Sequence, residues 1–238
     1  MNTLSIQLVC LVAFTFFIVC FRMLGVGFKP FAAGMLVIMV VWGITALVSL
    51  FTFVRLGVGG NLASLSVGGV IASVMAFCFF AWLGLTVFQA SQVPSIHNIS
   101  TDISNPPAFE KIPELRAPSH NPLEYTAEVA EQQRQHYAHI QPLVLSSNKE
   151  QVFDTALLVV DQLGWRLHHH NPKTGVIEAS ASSGIFGFVD DMVIRIEARE
   201  TGTIVDMRSV SRVGKSDFGA NAKRISQFLK ILAAQSAN

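Results

Sequence analysis

Long apolar stretches alternate with short, glycine-rich connections in the first part of the chain. The stretches cover about residues 4–23, 31–54 and 67–90, and each is close to the roughly 20 residues that a helix needs to cross a bilayer. The connections are too short to hold a domain, so they fit tight hairpins. The pattern predicts three transmembrane helices within residues 1–91, followed by a soluble part that begins at residue 92.

Composition and charge support this division. Hydrophobic residues make up 51% of the chain and charged residues only 14%, which is unusual for a soluble domain. Residues 1–91 hold three of the 17 basic residues and none of the 16 acidic ones, and the apolar centres contain no ionisable side chain that would mark a transport path. Small residues in the second and third stretches suit helix packing, either within one chain or in a homo-oligomer.

A change of pattern at residue 92 marks the soluble part. Residues 92–124 are rich in proline and serine and have no helical period, which predicts an extended, irregular stem. A polar helix over about Tyr125–His139 follows and opens an α+β domain over residues 125–238. The near-neutral charge of the soluble part offers no basic field for nucleic acid, which we therefore exclude as a partner.

Periodicity within the domain predicts one helix, four strands and a final helix. Lys149–Leu163 has apolar residues at helical spacing, with Gly164 placed as a C-terminal cap, and an apolar stripe after Gly214 indicates the second helix. The order α-β-β-β-β-α predicts an antiparallel four-stranded sheet with both helices on one face, a helix-grip-like α+β arrangement. The alternating segments that we interpret as strands are Trp165–His170, Gly175–Ala181, Met192–Arg199 and Thr203–Ser211.

Charged residues alternate with apolar ones on the last two predicted strands. If the apolar residues of Met192–Arg199 face the helices, their charged neighbours lie on the opposite face of the sheet. Antiparallel pairing then brings Arg195 near Asp206 and Glu197 near Arg208. Two interpretations of this face stay open: a solvated ladder of ion pairs, or a polar docking surface for a partner or an anionic headgroup.

The densest polar segment, residues 208–224, runs from the last strand into the final helix. The free N–H groups and the dipole of a helix N-terminus favour an anion, with Arg212 and Lys215 close by. In the alternative interpretation Asp217 caps the helix and forms one polar unit with Arg208 and Arg212. The candidate binding residues are Arg195, Arg208, Arg212, Lys215, Ser216, Asp217, Asn221 and Arg224, and Asp190, Asp191 and Asp206 form a structural polar cluster.

The histidines are candidates for a metal site. His168 and His170 share a face of their predicted strand, and the motif His136-x-x-His139 places two more imidazoles on the polar helix. Zinc needs three or four ligands that converge, and nothing in the spacing brings the two pairs together. We interpret these histidines as solvated and predict no metal ligand.

The remaining residues give no support for catalysis. Asp190 and Asp191 are neighbours in an extended segment and point to opposite faces, which suits ion pairing with an arginine better than acid–base chemistry. No common hydrolase, zinc-protease or redox motif occurs in the sequence. We therefore assign no catalytic residue and no cofactor.

Four runs of sequence carry a resemblance to a known family: IHNISTDISNPPAF, GWRL, GVIEASASSGIFGFVDDMVIRI and VDMRSVSRVGKSDFGANAKRI. They resemble the family called domain of unknown function 1499 over about residues 93–235. That family has no established activity, so the resemblance implies a domain and not a reaction. It implies a bacterial envelope or plastid setting, with a signal or membrane anchor before the domain.

Two signals disagree on which side of the membrane the soluble part lies. A count of Lys and Arg near the helix ends gives two at the first connection and one at the second, which favours a cytoplasmic soluble part. The family resemblance implies a domain outside the cytoplasm, and we follow it because a difference of one charge is small. We expect a bacterial inner-membrane protein with residues 92–238 in the periplasm.

The function expected from the sequence is that of an envelope interaction or scaffold module. The first alternative is a module at the membrane surface that binds lipid or an anion, and the second is an uncharacterised enzyme. The expected partners are the lipid bilayer itself and either an envelope protein or an anionic lipid headgroup. The discriminating observation is the kind of cavity that the domain contains.

Overall fold

The computed structural model describes residues 3–24, 28–59, 67–184 and 186–236. The chain divides into two compact units. The first holds the N-terminal helices, and the second consists of Val93–Gly184 and Phe188–Asn238. The boundary near residue 92 coincides with the end of the apolar pattern.

The helices of the first unit are α1 (Thr3–Leu24), α2 (Phe28–Val58) and α3 (Val67–Ser91). Aromatic contacts join them, and Trp42 of α2 stacks on Phe79 of α3 with ring centroids 4.9 Å apart. Among the described residues, Ala33–Arg55 is the one segment long and apolar enough to cross a membrane, whereas Val12–Phe21 and Phe77–Thr86 are shorter. The structure thus supports one candidate membrane helix near the N-terminus, a coarser result than the three predicted crossings.

An antiparallel sheet of six strands forms the centre of the second unit. The strands are β1 (Asn98–Ser100), β2 (Leu143–Leu145), β3 (Arg166–Asn171), β4 (Val176–Ser182), β5 (Val189–Arg199) and β6 (Gly202–Ser211). Their order is β1-β6-β5-β4-β3, and β2 pairs with the part of β6 that β1 leaves open. The four predicted strands correspond to β3–β6, but a sheet of only four strands is wrong. β1 and β2 have three residues each, too few to show alternation.

Two amphipathic helices, α6 (Lys149–Gln162) and α7 (Ala220–Ser236), pack on one face of this sheet. Asn148 caps α6 by accepting the N–H of Gln151 at 2.9 Å, and Gly164 follows the helix in the left-handed conformation that a C-terminal cap requires. Trp165 stacks on the fully buried Phe228 of α7, with ring centroids 5.6 Å apart. The apolar residues of β5 point into this core, as the alternation predicts.

Residues 101–125, which we call the covering segment, pass over the opposite face of the sheet. They include the short helix α4 (Ile112–Leu115) and precede α5 (Ala127–His136). Three carboxylates of the sheet and one arginine are buried beneath or beside this segment and bond to it. The prediction of an irregular stem over residues 92–124 is therefore corrected: this region contains β1 and α4 and belongs to the folded unit. Its contacts join backbone groups and single polar side chains, such as Thr101 and Arg116, to side chains of the sheet, and they leave no periodic pattern in the sequence.

Candidate functional site

Glu178, in the middle of β4, attaches the covering segment to the sheet. Its carboxylate is fully buried and accepts the backbone N–H groups of Glu110, Lys111 and Ile112, at 3.0 Å from Lys111 and 2.7 Å from Ile112. These groups begin α4, and Lys111 at its N-cap supplies no side-chain hydrogen bond. A carboxylate of the sheet therefore replaces the missing cap and fixes the start of α4.

Arg208 of β6 is a buried arginine whose described partners are all uncharged. Its Nε donates to Asn98 Oδ1 at 3.0 Å, and its two Nη groups donate to backbone carbonyls of the covering segment. The rings of Phe109 and Tyr125 lie against it, with centroids 5.4 and 5.6 Å from Cζ. Burial lowers the pKa of Arg208 to about 10. The guanidinium is still charged at neutral pH, and each of its three nitrogens donates to a group inside the domain.

Arg195 and Asp206 form an ion pair directly across β5 and β6, where the sequence predicts them as neighbours. Arg195 Nη2 lies 2.9 Å from Asp206 Oδ2 and 3.2 Å from Asp102 Oδ2 of the covering segment. Thr101 adds a third link, because its hydroxyl donates to Asp206 Oδ1 at 2.8 Å. The pair is therefore shared between the sheet and the covering segment.

The second predicted pair, Glu197 with Arg208, is wrong. The register places Glu197 opposite Ile204, and Glu197 contacts Arg195 and Arg199 of its own strand instead. The charged face is neither a solvated ladder of ion pairs nor an open docking surface, because the covering segment removes most of this face from solvent. That face is an internal interface of the domain.

Asp191, near the start of β5, is the point where two arginines meet. Its carboxylate is fully buried, and Arg212 donates to it through Nη2 at 2.8 Å and through Nε at 3.0 Å. Arg116 of the covering segment donates to the same carboxylate through Nη1, and its Nη2 lies 2.6 Å from the carbonyl oxygen of Asn121. One carboxylate faces two guanidinium groups, so this cluster carries a net positive charge.

Asp190 lies on the opposite face of the same strand. Arg224 of α7 donates to Asp190 through Nη2 at 2.7 Å and to Asn221 Oδ1 through Nη1 at 2.9 Å. The fully buried Asn221 also accepts from the Ser209 hydroxyl at 2.6 Å and donates to the carbonyl of His97 at 3.0 Å. These residues tie α7 to the sheet, which is a structural role.

Asp217 caps the start of α7 without help from an arginine. Its two carboxylate oxygens accept the N–H groups of Gly219 at 2.8 Å and of Asn221 at 2.9 Å, and burial raises the pKa of Asp217. The predicted polar unit of Asp217 with Arg208 and Arg212 is wrong, because both arginines bond to other groups. The capping role itself is confirmed.

A cleft of about 430 Å³ opens beside the Asp191 cluster. The first residues of β3 and the end of β4 form one part of its wall. Leu115 of α4 and Arg212, which follows β6, form another. Its walls are therefore formed by the sheet and by the covering segment together. The lining residues are Leu115, Gly164, Arg166, His168, Ser180, Ala181, Ser182, Val189 and Arg212.

Two guanidinium groups give the cleft its charge. Arg212 uses Nε and Nη2 on Asp191, and among the described residues nothing accepts a hydrogen bond from its Nη1. Arg166 is exposed, and within the described part of the chain it has no ion pair. His168 Nε2 lies 2.5 Å from Ser180 Oγ, and burial, followed by the charge of Arg166, lowers the pKa of His168. The cleft thus presents cationic donors beside a neutral imidazole and a hydroxyl.

A comparison with family models matches residues 98–232, more than half of the chain, to proteins of unknown function of the family DUF1499. The chain belongs to the DUF1499 family. The DUF1499 region begins at the first residue of β1 and ends within α7, so it contains the covering segment and every residue that lines the cleft. Among curated proteins the chain finds no match.

A bulge in β3 of the DUF1499 region separates the histidines. The inserted residue places His168 at the cleft and His169 beside Glu110, with Nε2 to Oε2 at 3.1 Å, both on the covered side. His170 lies on the helix side, where its ring centroid is 6.4 Å from that of Phe153. The prediction that His168 and His170 share a face is wrong for this reason. Within the described residues no group of three or more His, Cys, Asp or Glu side chains converges as a metal site.

Of the predicted binding residues, Arg212 is the one that lines this cleft. Arg224 borders a second, smaller cleft of about 320 Å³ together with Lys223. Lys215 and Ser216 lie in the loop before α7, and the other candidates take part in interior networks. Sequence reasoning missed Arg166, Ser180 and Ser182 as site residues, because only the strand pairing brings them to Arg212.

Proposed function

We propose that this DUF1499 protein is a membrane-anchored module that binds an anionic group in the cleft. The proposal rests on two cationic donors that line one cleft, the guanidinium of Arg166 and Nη1 of Arg212. Among the described residues Arg166 has no ion pair, and Asp191 accepts from Nε and Nη2 of Arg212 but leaves its Nη1 without an acceptor. Arginine recognises carboxylate and phosphate oxygens through charge-assisted hydrogen bonds, often in pairs. A carboxylate or a phosphate would supply the negatively charged acceptor oxygens that these two donors lack.

The charge beneath the cleft favours an anion. Asp191 supplies one negative charge against Arg116 and Arg212, and Arg166 adds a further positive charge at the rim. Asp191 also holds Arg212 through two hydrogen bonds, so that side chain is already oriented before any ligand arrives. Pre-organisation of this kind lowers the entropic cost of binding.

The size and lining of the cleft suit a small anionic group. About 430 Å³ lies in the range of small-ligand sites, and Ser180 and Ser182 place hydroxyl groups next to the arginines. Because the pKa of His168 is lowered, its ring adds no charge at neutral pH and offers a hydrogen bond instead. These features support anion binding more directly than the scaffold alternative, whose docking surface is occupied by the covering segment.

We further propose that the anchor crosses the membrane three times and that the DUF1499 domain lies in the periplasm of a bacterial inner membrane. The three N-terminal helices have 22, 31 and 25 residues, each sufficient for the roughly 20 that a crossing needs. The setting of the domain outside the cytoplasm rests on the family resemblance. An alkaline phosphatase fused after residue 238 should be active, and an inactive fusion with a fluorescent GFP counterpart would reverse this topology.

The test of anion binding uses the full chain in an uncharged detergent, titrated with inorganic phosphate and with a short-chain phosphatidylglycerol. Saturable stabilisation by both supports a general anion site, by the lipid alone a headgroup site, and by phosphate alone a site for a free anion. Arg166→Gln should weaken binding about tenfold or more, since it removes a charge-assisted contact. Arg199→Gln is the matched control, because this exposed arginine pairs with Glu197 far along β5.

Two outcomes would contradict the proposal. One is the absence of saturable binding of either ligand to the unmodified chain. The other is an equal loss of binding in Arg166→Gln and Arg199→Gln, which would show only a general effect of positive charge on the surface.

A further inference from the structure

The loop between β6 and α7, residues 213–219, presents an exposed aromatic side chain in an unfavourable backbone conformation. Phe218 is 64% exposed, and its φ of +51° makes it the one described residue other than glycine with a positive φ. A bulky side chain disfavours this left-handed region, and strained residues that a fold maintains are often functional. Exposure and strain together indicate that the outward position of Phe218 is specified by the structure.

The loop is held firmly on both sides of Phe218. The N–H of Asp217 donates to the carbonyl of Ile96 at 3.2 Å, and the Ser216 hydroxyl lies 3.5 Å from the carbonyl of Pro94. The carboxylate of Asp217 then fixes the start of α7. Phe218 is therefore fixed to the short segment through which the chain enters the domain.

That entry segment is short. Pro94 follows Ser91, the last residue of α3, by three residues, and three extended residues span at most about 11 Å. Lys215 and Lys223 are both exposed within a few residues of Phe218. An exposed phenylalanine accompanied by lysines is a combination found on surfaces that bind the membrane interface, since the ring enters the boundary between headgroups and acyl chains and the ammonium groups meet anionic lipids.

We propose that the loop 213–219 docks on the lipid surface, with Phe218 in the headgroup layer and Lys215 and Lys223 against anionic headgroups. The inference rests on the proposed insertion of α3 in the membrane. It does not depend on anion binding in the cleft, which involves other side chains and is measured in detergent without a bilayer.

The test places a nitroxide label on the full chain in nanodiscs that contain phosphatidylglycerol. Cys10, Cys20 and Cys78 are first replaced by serine, and Phe218→Cys is labelled in that background. Leu158→Cys is the matched control, because Leu158 of α6 is 66% exposed and lies on a helix outside the loop. Power saturation compares the access of dissolved oxygen, which concentrates in lipid, with that of a water-soluble nickel chelate.

Oxygen should reach the label at position 218 at least severalfold better, relative to the nickel chelate, than it reaches the label at position 158. Equal ratios at the two positions would overturn the proposal, because the loop would then be in water. Poor access of both reagents to position 218 would overturn it as well, since a second copy or another protein would be covering the loop.

A second labelled position guards against a local effect of the cysteine at a left-handed residue. Lys215→Cys lies in the same loop and should also show the higher oxygen ratio, at a shallower depth than position 218. A water-like ratio at position 215 together with a water-like ratio at position 218 would reject docking, whatever the cleft binds.

Discussion

On its helix face the sheet presents Met192, Ile194 and Ile196 to α6 and α7, and all three are fully buried among other apolar groups. On its other face the same sheet presents Glu178 and Asp191, which are buried to the same extent but bonded to the covering segment. Burial of apolar surface needs no particular partner. A buried charge is stable only if its hydrogen bonds and counter-charge are supplied.

This difference explains where the domain has an open site. On the helix face, apolar side chains exclude water wherever their volumes fit together. On the covered face, water is excluded only where the covering segment supplies a hydrogen-bond partner or a counter-charge. At the end of β4 that match is incomplete: among the described residues, nothing pairs with Arg166 or accepts from Nη1 of Arg212. The candidate cleft therefore lies at the edge of the polar interface between the sheet and the covering segment.

Neighbouring residues of β5 provide the largest expected contrast between the faces. Asp191→Asn removes the one negative charge between Arg116 and Arg212, and breaking a buried ion pair in this way costs about 3–5 kcal/mol. Met192→Leu conserves volume on the helix face and should cost less than about 1.5 kcal/mol. The opening free energies of β5 amides, measured by hydrogen exchange on the full chain, give both values.

Similar costs for the two substitutions would show that the two faces of the sheet do not differ in how they are stabilised. Glu197→Gln is a useful reference on the same strand, because its ion pair with Arg199 is exposed and contributes little. The free-energy cost of Glu197→Gln should stay below about 1 kcal/mol.

A smaller effect is expected at Glu178. Glu178→Gln keeps the shape of the side chain but replaces an ionised acceptor of three N–H groups with an amide, which should cost about 1.5–3 kcal/mol. Hydrogen exchange should become faster at residues 110–112 and stay unchanged in α6, which packs on the other face. Glu110→Gln, at an exposed contact with His169, is the control; an equal effect of both changes would contradict the capping role of Glu178.

The smallest expected effect is a dependence of stability on pH through His168. Burial lowers its pKa in the folded domain below the ordinary value of 6.5, so the unfolded chain binds more protons as the pH falls through that value. The fold should therefore lose stability on acidification from about pH 7.5 to about pH 5.5. His168→Asn should reduce this loss in thermal melts, whereas the exposed control His136→Asn should not. Equal pH dependence in all three proteins would exclude a contribution from His168.

Strong periodicity made much of the fold predictable from the sequence. The apolar spacing of Lys149–Leu163 and the alternation of Met192–Arg199 predict α6 and β5 to within a few residues, because each pattern reports one buried face. Asp217 is predictable as a cap for a similar local reason, since its partners are the next N–H groups of the chain. Signals within one element are readable without knowledge of the tertiary structure.

The covered face was not predictable in the same way. Glu178 bonds to backbone groups 66 to 68 residues away, and Arg116 meets Asp191 across 75 residues. Neither partner is distinguished by its local sequence, so the covering segment resembles a flexible stem. The bulge in β3 is a second example, because one unpaired residue changed which histidines share a face.

The covering segment closes the charged face of the sheet. Hydrogen exchange at the backbone amides of Glu110, Lys111 and Ile112 in the full chain tests this closure most directly, because these N–H groups bond to the buried Glu178. All three should exchange slowly, with protection approaching that of β4. Exchange at the rate of an unstructured peptide, while β4 stays protected, would show that residues 110–112 form a free stem and that this face is open.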